Sequence, residues 1–302
     1  MSRGVLYALG AYLLWGAFPV YFKSVQAVPS LEVLAHRMLW SLVFVLALLA
    51  VLRQWQWLRP LLHAPRRLAG FALSAVLVSI NWLIYIWAVN AGHVVDASLG
   101  YFINPLVSVL IGALVLRERL RPVQWTAVGL AALGVAWLTW QAGQPPWIGL
   151  ALAFSFAAYG LMRKLAPLGA VQGLAVETAL LAPLALGYLT FLAVRGSNAF
   201  VNSVGAGSPD LALLLLLAGP VTAVPLLLFA AGARRIPLST LGLLQYVAPT
   251  LQLLLGVHLY GEPFEAGKQI GYAAIWIALA VFSIDGLWQA WRQRARRALP
   301  SA

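Results

Sequence analysis

Ten apolar stretches organise this chain, separated by short polar interruptions. They cover residues 5–22, 31–51, 68–89, 97–116, 122–140, 147–161, 173–194, 211–233, 239–260 and 266–288. A helix crosses the hydrocarbon core of a bilayer with about 20 apolar residues, within a range of roughly 17 to 25. The sixth stretch is the shortest, and the other nine fall inside that range. The runs are continuous rather than alternating, which selects helices over the strands of a membrane barrel. The pattern predicts an all-α membrane protein with ten transmembrane helices.

The second half of the pattern restates the first at an offset of 144 residues. Pro105 answers to Pro249, Gly112 to Gly256, Glu118 to Glu262, and Trp15-Gly16 to Tyr159-Gly160. The segment Ser98-Leu99-Gly100-Tyr101-Phe102 echoes Thr240-Leu241-Gly242-Leu243-Leu244, two residues out of register. Five spans per copy is an odd number, so the second copy must enter the membrane upside down relative to the first. The expected organisation is one repeat over 1–143, an inverted repeat over 144–290, and a basic tail over 291–302. Two inverted copies around one midplane site give two near-equivalent states, one open to each side, as alternating access requires.

Composition agrees with a membrane chain. The hydrophobic fraction is 62% and the charged fraction 9%, against about a quarter charged in ordinary soluble domains. The net charge of +12 fits basic residues on the cytoplasmic side and anionic lipid as a partner, rather than nucleic acid. With the N-terminus placed in the cytoplasm, 16 of the 20 Lys and Arg residues fall on that side. Lys23, Arg37, Arg195 and Lys268 remain opposite, and both termini are expected in the cytoplasm. Trp55, Trp57, Trp140, Trp147, Trp288 and Trp291 fall near span ends, where indoles favour the interface. The segment 288–297 reads as an amphipathic, lipid-facing extension. The first stretch ends in Phe18-Pro19-Val20-Tyr21-Phe22-Lys23 without a small-x-small cleavage site, so it is expected to remain as a helix. The chain has no cysteine, which excludes disulfides and thiolate metal sites.

Several segments resemble the RarD branch of the EamA family, within the drug/metabolite transporter superfamily. They are Ala11-Tyr12-Leu13-Leu14-Trp15-Gly16, His36-Arg37 with Trp40-Ser41, Asn81-Trp82 with Trp87-Ala88-Val89-Asn90, the long run 97–105, and Leu238-Ser239-Thr240-Leu241-Gly242 with Gln245-Tyr246 and Pro249-Thr250. The resemblance extends from about the first span to the tenth. It implies ten helices in two EamA repeats, in a bacterial inner membrane, exporting small metabolites or drugs. RarD-like proteins carry the label "chloramphenicol-sensitive", so phenicol-type compounds enter as a ligand class.

Charged residues inside spans are costly and are functional candidates by default. Glu32, His36 and Arg37 open the second span, with Glu32 and His36 spaced to share a helical face. They read either as a substrate- or proton-handling cluster or as a self-neutralising cap with Arg37 snorkelling to the interface. Glu177, near the repeat position of Glu32, reads as a coupling carboxylate or as a partner of Arg163 or Lys164. Asn81, Tyr85, Asn104, Gln245 and Tyr246 offer hydrogen bonds to a ligand without a full charge, or bind helices to one another. Pro105 and Pro249 are expected to break their helices where the substrate site lies. Tyr12, Trp15 and Tyr159 form an aromatic wall or simply pack. Gly16, Gly160, Gly112 and Gly256 read as close-contact positions. Asp96 reads as a cap of the fourth helix, with His93 in the loop before it, and His258 is a lone histidine.

No phosphate-binding GxxxxGK[ST] loop, HExxH motif or Ser/His/Asp set is present, and Asp96, Asp210 and Asp285 fall in loops or at span ends. No cofactor, metal or enzymatic activity is expected. The reading is a secondary transporter that exports a small organic molecule by alternating access, with proton coupling left open. A lipid flippase, or a non-transporting assembly or lipid-binding protein, is the alternative.

Overall fold

The computed structural model describes residues 2–90, 94–143, 147–206, 209–260 and 266–298. Glu262 and His93 lie outside them, as does the side chain of Asp96. Fourteen helices follow one another: α1 (Arg3–Gly16), α2 (Phe18–Ser24), α3 (Ser30–Leu52), α4 (Leu58–Leu62), α5 (Pro65–Asn90), α6 (Val94–Leu114), α7 (Pro122–Ala142), α8 (Trp147–Leu165), α9 (Ala170–Val194), α10 (Ala199–Gly205), α11 (Pro209–Ala233), α12 (Leu238–Leu244), α13 (Val247–Tyr260) and α14 (Ala266–Ala298). Among the described residues the fold is entirely helical. Nine stretches in them are long and apolar enough to cross a membrane, and a shorter apolar one covers Gly100–Leu114 of α6. Large side chains such as Leu83, Leu184 and Ile284 are more than half exposed. Lipid is the solvent that tolerates such a surface, and the chain is a multi-pass membrane protein.

Helix ends follow local chemistry. Ser2 Oγ accepts a hydrogen bond from the Val5 amide at the start of α1. Pro122 opens α7, where its missing N–H is no loss, and Gln124 Oε1 reaches back to the Arg121 amide at 3.0 Å. Gly143 ends α7 at φ +72°, a conformation glycine adopts without steric cost.

The first and ninth apolar stretches are each interrupted. Ala17 separates α1 from α2, and Gln245-Tyr246 separates α12 from α13. The expectation that Pro105 and Pro249 break their helices needs correction. α6 runs unbroken through Pro105, and the missing proline N–H releases only the Tyr101 carbonyl from its helical partner. The second break lies before Pro249. A proline ring collides with the carbonyl four residues back, here that of Gln245, and this is where the chain departs from the α-helix. Gln245 and Ala248 are joined instead by a tighter bond, from the Ala248 amide to the Gln245 carbonyl at 3.1 Å.

Packing repeats across the 144-residue offset. α1 lies against α11 as α8 lies against α5, and α3 pairs with its counterpart α9 as α7 pairs with α14. Phe102 and Tyr246, one offset apart, stack with ring centroids 6.5 Å apart. Arg121 and Asp285 form an ion pair between α7 and α14 at 2.5 Å. Two close approaches require glycine. A Cβ on Gly242 would lie 2.8 Å from the Pro105 carbonyl oxygen, and one on Gly134 would lie 2.7 Å from that of Gly271.

Candidate functional site

A cavity of about 430 Å³ opens between α1, α2, α3, α5, α6, α8, α11 and the α12–α13 break. It draws residues from both halves of the chain. Tyr12, Trp15, Asn81, Tyr85, Asn104 and Gln245 all line it, and so does Pro249. Tyr159 and Tyr246 do not, since both are buried behind it. Tyr246 donates its hydroxyl to the Phe102 carbonyl at 3.1 Å. Residues with no role assigned from sequence complete the wall, among them Phe18, Trp82, Tyr101, Phe156 and Thr222. A signal for Phe156 was present, because it is the offset partner of Tyr12. Gln26 and Ser30, both exposed, are also lining residues, so the cavity communicates with the surface at the α2–α3 turn.

Away from that turn the cavity ends on aromatic rings. Trp15 packs on Phe156 at 5.6 Å and on Phe229 at 5.5 Å, and Tyr159 stacks on Phe229 at 6.1 Å. Tyr12 seals the same layer by donating to the Leu241 carbonyl at 2.9 Å. Tyr12 and Trp15 correspond by offset to Phe156 and Tyr159, so one layer is made of matched positions from each half.

Beyond the rings the bundle is tied by charge. Arg163 Nη1 lies 3.2 Å from Glu177 Oε1, which also accepts from Ser74 Oγ at 2.5 Å. Glu118 accepts from the Leu238 amide at 2.7 Å, from the Ser239 amide at 2.9 Å and from Ser239 Oγ at 2.8 Å. The Glu118 carboxylate thus caps α12, and Lys164 Nζ stands 3.7 Å away. Gly112 leaves the room this requires, because a Cβ there would lie 2.7 Å from Glu118 Oε2. The repeated Gly and Glu of the sequence, at least in the first copy, build this cap. Arg234, at the same end, donates to the carbonyls of Ala166 and Leu168.

The three charged residues at the start of α3 point in different directions. Glu32 Oε1 accepts from the Ala199 amide at 2.6 Å and so caps α10. His36 Nδ1 accepts from Trp40 Nε1 at 3.2 Å, which puts the proton of a neutral ring on Nε2. His36 Nε2 is 3.9 Å from Glu32 Oε1. Both His36 Nε2 and Glu32 Oε2 are buried without a hydrogen-bond partner. Neither residue lines the cavity, whereas Arg37 does. Its Nε donates to Thr222 Oγ1 at 2.9 Å, and its guanidinium lies 5.2 Å from the Phe22 ring and 5.0 Å from the Trp82 ring.

These features define a multi-pass helical membrane protein with a largely apolar cavity, dotted with polar groups, between its two halves among the described residues. Residues 2–140 match the EamA-like transporter family. The chain is 50% identical over 293 residues to a RarD protein of Streptomyces exfoliatus, covering 97% of this chain and 92% of that one. It is 36% identical over 302 residues to a chloramphenicol-sensitive RarD protein of Pseudomonas aeruginosa, covering 99% of each. A solved crystal structure shares the fold with a TM-score of 0.64 at 23% identity, covering 93% of this chain and 97% of its own. The chain belongs to the EamA-like transporter family and, within it, to the RarD group.

Proposed function

We propose that this protein is a secondary transporter that moves a small organic molecule out across a bacterial inner membrane by alternating access. In this reading ten helices span the bilayer as two inverted five-helix repeats, with both termini in the cytoplasm. The observation that carries it is the cavity: both halves build it, it reaches the surface at the α2–α3 turn, and an aromatic layer and the Glu118 cap close the other end. Packing that exchanges under the sequence offset supports two interchangeable halves. The structure then corresponds to an outward-facing state, and release of the cap from α12 would accompany the inward-facing one. Asn81, Tyr85 and Gln245 line one common cavity while Tyr246 packs behind it, and the three that meet support a carrier over a purely structural bundle. Phenicol-type compounds stay among the ligand classes through the name of the Pseudomonas relative.

Proton coupling, where present, falls to Glu32 and His36. Their buried, unpartnered atoms leave a proton somewhere to go, whereas Glu177 is held by Arg163, Ser74 and Tyr159.

The absence of cysteine makes the test direct. Single cysteines at Asn81 and Gln245 should be labelled by a membrane-impermeant maleimide from either face, in right-side-out and in inside-out vesicles. Labelling from one face alone, under every ligand and gradient condition, would refute alternating access. In inside-out vesicles an imposed ΔpH should change the rate or extent of substrate uptake, and Glu32→Gln should remove that dependence. A rate indifferent to ΔpH removes proton coupling from the mechanism.

A further inference from the structure

Arg37 is the only charged residue among the described residues that line the cavity. A guanidinium carries five N–H donors, and one of them is used, from Nε to Thr222 Oγ1. Among the described residues neither Nη1 nor Nη2 has an acceptor, and no carboxylate lies within 4.0 Å of the group. Glu32, on the same helix, is turned instead to the Ala199 amide. The ring faces of Phe22 and Trp82 attract the cation but accept none of its remaining hydrogen bonds. The Gln245 side chain likewise faces the cavity with no hydrogen-bond partner among the described residues.

The other half of the molecule shows what the same helix contact needs for packing alone. The positions matching Arg37 and Thr222 at the 144-residue offset are Leu181 and Val78, both buried and both apolar. The fold makes this contact without a charge in one half and carries an unpaired cation in the other.

We propose that the cavity selects an amphipathic organic monoanion, whose carboxylate pairs with the Arg37 guanidinium while its apolar body lies against Trp15, Trp82 and Phe156. The proposal rests on the carrier reading and names its substrate class. A carboxylate matches the two free Nη groups in a bidentate fork and brings one negative charge to one positive charge. A phosphate dianion would leave a charge uncompensated, since no second cation among the described residues lines the wall. A cationic ligand would face Arg37 with no Asp or Glu among the lining residues to hold it. A neutral phenicol offers acceptor oxygens to the guanidinium but no negative charge, so its bonds there are weaker than a carboxylate's.

The test uses the full chain purified in an uncharged detergent, with 3-phenylpropionate, its neutral isostere 3-phenylpropionamide, and chloramphenicol as probes. Binding is read by isothermal titration, and by quenching of tryptophan fluorescence as a second measure. A charge-assisted bidentate bond predicts that the carboxylate binds about 10- to 100-fold tighter than the amide. Arg37→Gln should bring the two probes to equal affinity, and Arg37→Lys should keep part of the preference, since a lysine retains the charge without the fork. Equal binding of carboxylate and amide by the unaltered protein overturns the proposal. So does a preference that survives in Arg37→Gln, or a failure of 3-phenylpropionate to bind. The unaltered protein's carboxylate-to-amide ratio stands whether or not a variant folds. Alternating access is judged separately by the two-sided labelling of Asn81 and Gln245, so either idea can fail while the other holds.

Discussion

Arg163 and Arg37 carry the same group into the interior of one helix bundle under different terms. Arg163, at the end of α8 and 1% exposed, gives Nη1 to Glu177 Oε1 and Nη2 to the Ala170 carbonyl. Around it Ser74 and Tyr159 complete the Glu177 carboxylate. Among the described residues Arg37, in α3, gives only Nε to a hydroxyl, and it stands over aromatic rings beside an open cavity. A buried cation with its counter-charge in place is a strut between helices. Arg163 keeps that role although its own Nε is unpartnered; Arg37 differs in having no carboxylate beside it among the described residues and in standing next to a cavity, as the proposed receptor for an anion requires. The molecule thus has one end tied by a buried ion pair and a cavity whose single lining cation, among the described residues, has no carboxylate partner.

Removing each arginine in turn separates the two roles most strongly. Arg163→Met leaves Glu177 buried without its cation, and deleting one partner of a buried pair costs about 3–5 kcal/mol. A large fall in the thermal midpoint of the detergent-solubilised protein is the expected readout. Adding Glu177→Leu should restore most of the loss, because an apolar pair of similar volume replaces a buried ion pair at little cost. Arg37→Gln should stay within about 1 kcal/mol of the parent, since the lost bond to Thr222 is offset by removing a buried cation that has no counter-charge. Equal destabilisation by the two arginine variants would erase the distinction between strut and receptor.

A smaller effect is expected from Glu118→Gln, which tests whether the closed end is held shut by its cap. Glutamine keeps one acceptor oxygen where the carboxylate has two, and the α12 amides lose the charged partner. The cost is about 1–3 kcal/mol, and it falls on one conformation. Labelling of a cysteine at Asn81 should therefore rise from the Glu118 side of the membrane. An unchanged accessibility ratio would show that the cap supports the fold without biasing the two states.

Much of this arrangement was legible in the sequence because lipid leaves the backbone few choices. A continuous apolar run of span length must close its hydrogen bonds within a helix, and the long helices begin and end within a few residues of the apolar runs, except α14, which continues to Ala298. The polar candidates Asn81, Asn104 and Gln245 were visible as amides inside spans. The direction of Arg37 was harder to read. Its neighbours Glu32 and His36 suggested a common cluster, yet at 3.6 residues per turn Arg37 shares its face with Ser30, Val33 and Leu34, and these are the α3 residues that line the cavity. Of the two expected breaks, the one at Pro105 does not occur, and the one near Pro249 falls before it, where the ring meets the carbonyl four residues back. Tyr159 and Tyr246 looked like ligand contacts because sequence shows that a phenol lies in a span without showing which side of the helix faces another helix.

The finest division falls between two adjacent residues, Gln245 and Tyr246, at the α12–α13 break. The Gln245 carboxamide faces the cavity and has no hydrogen-bond partner among the described residues. The Tyr246 ring stacks on Phe102, its offset counterpart, and its hydroxyl is spent on the Phe102 carbonyl. Tyr246→Phe keeps the ring and deletes one buried hydrogen bond, for a loss of about 1 kcal/mol with ligand affinity unchanged. Gln245→Ala should leave the thermal midpoint close to the parent and weaken 3-phenylpropionate binding severalfold. Were the alanine variant to lose stability and the phenylalanine variant to lose ligand, the break would present the opposite face to the cavity, and the binding role of this segment would pass from Gln245 to Tyr246.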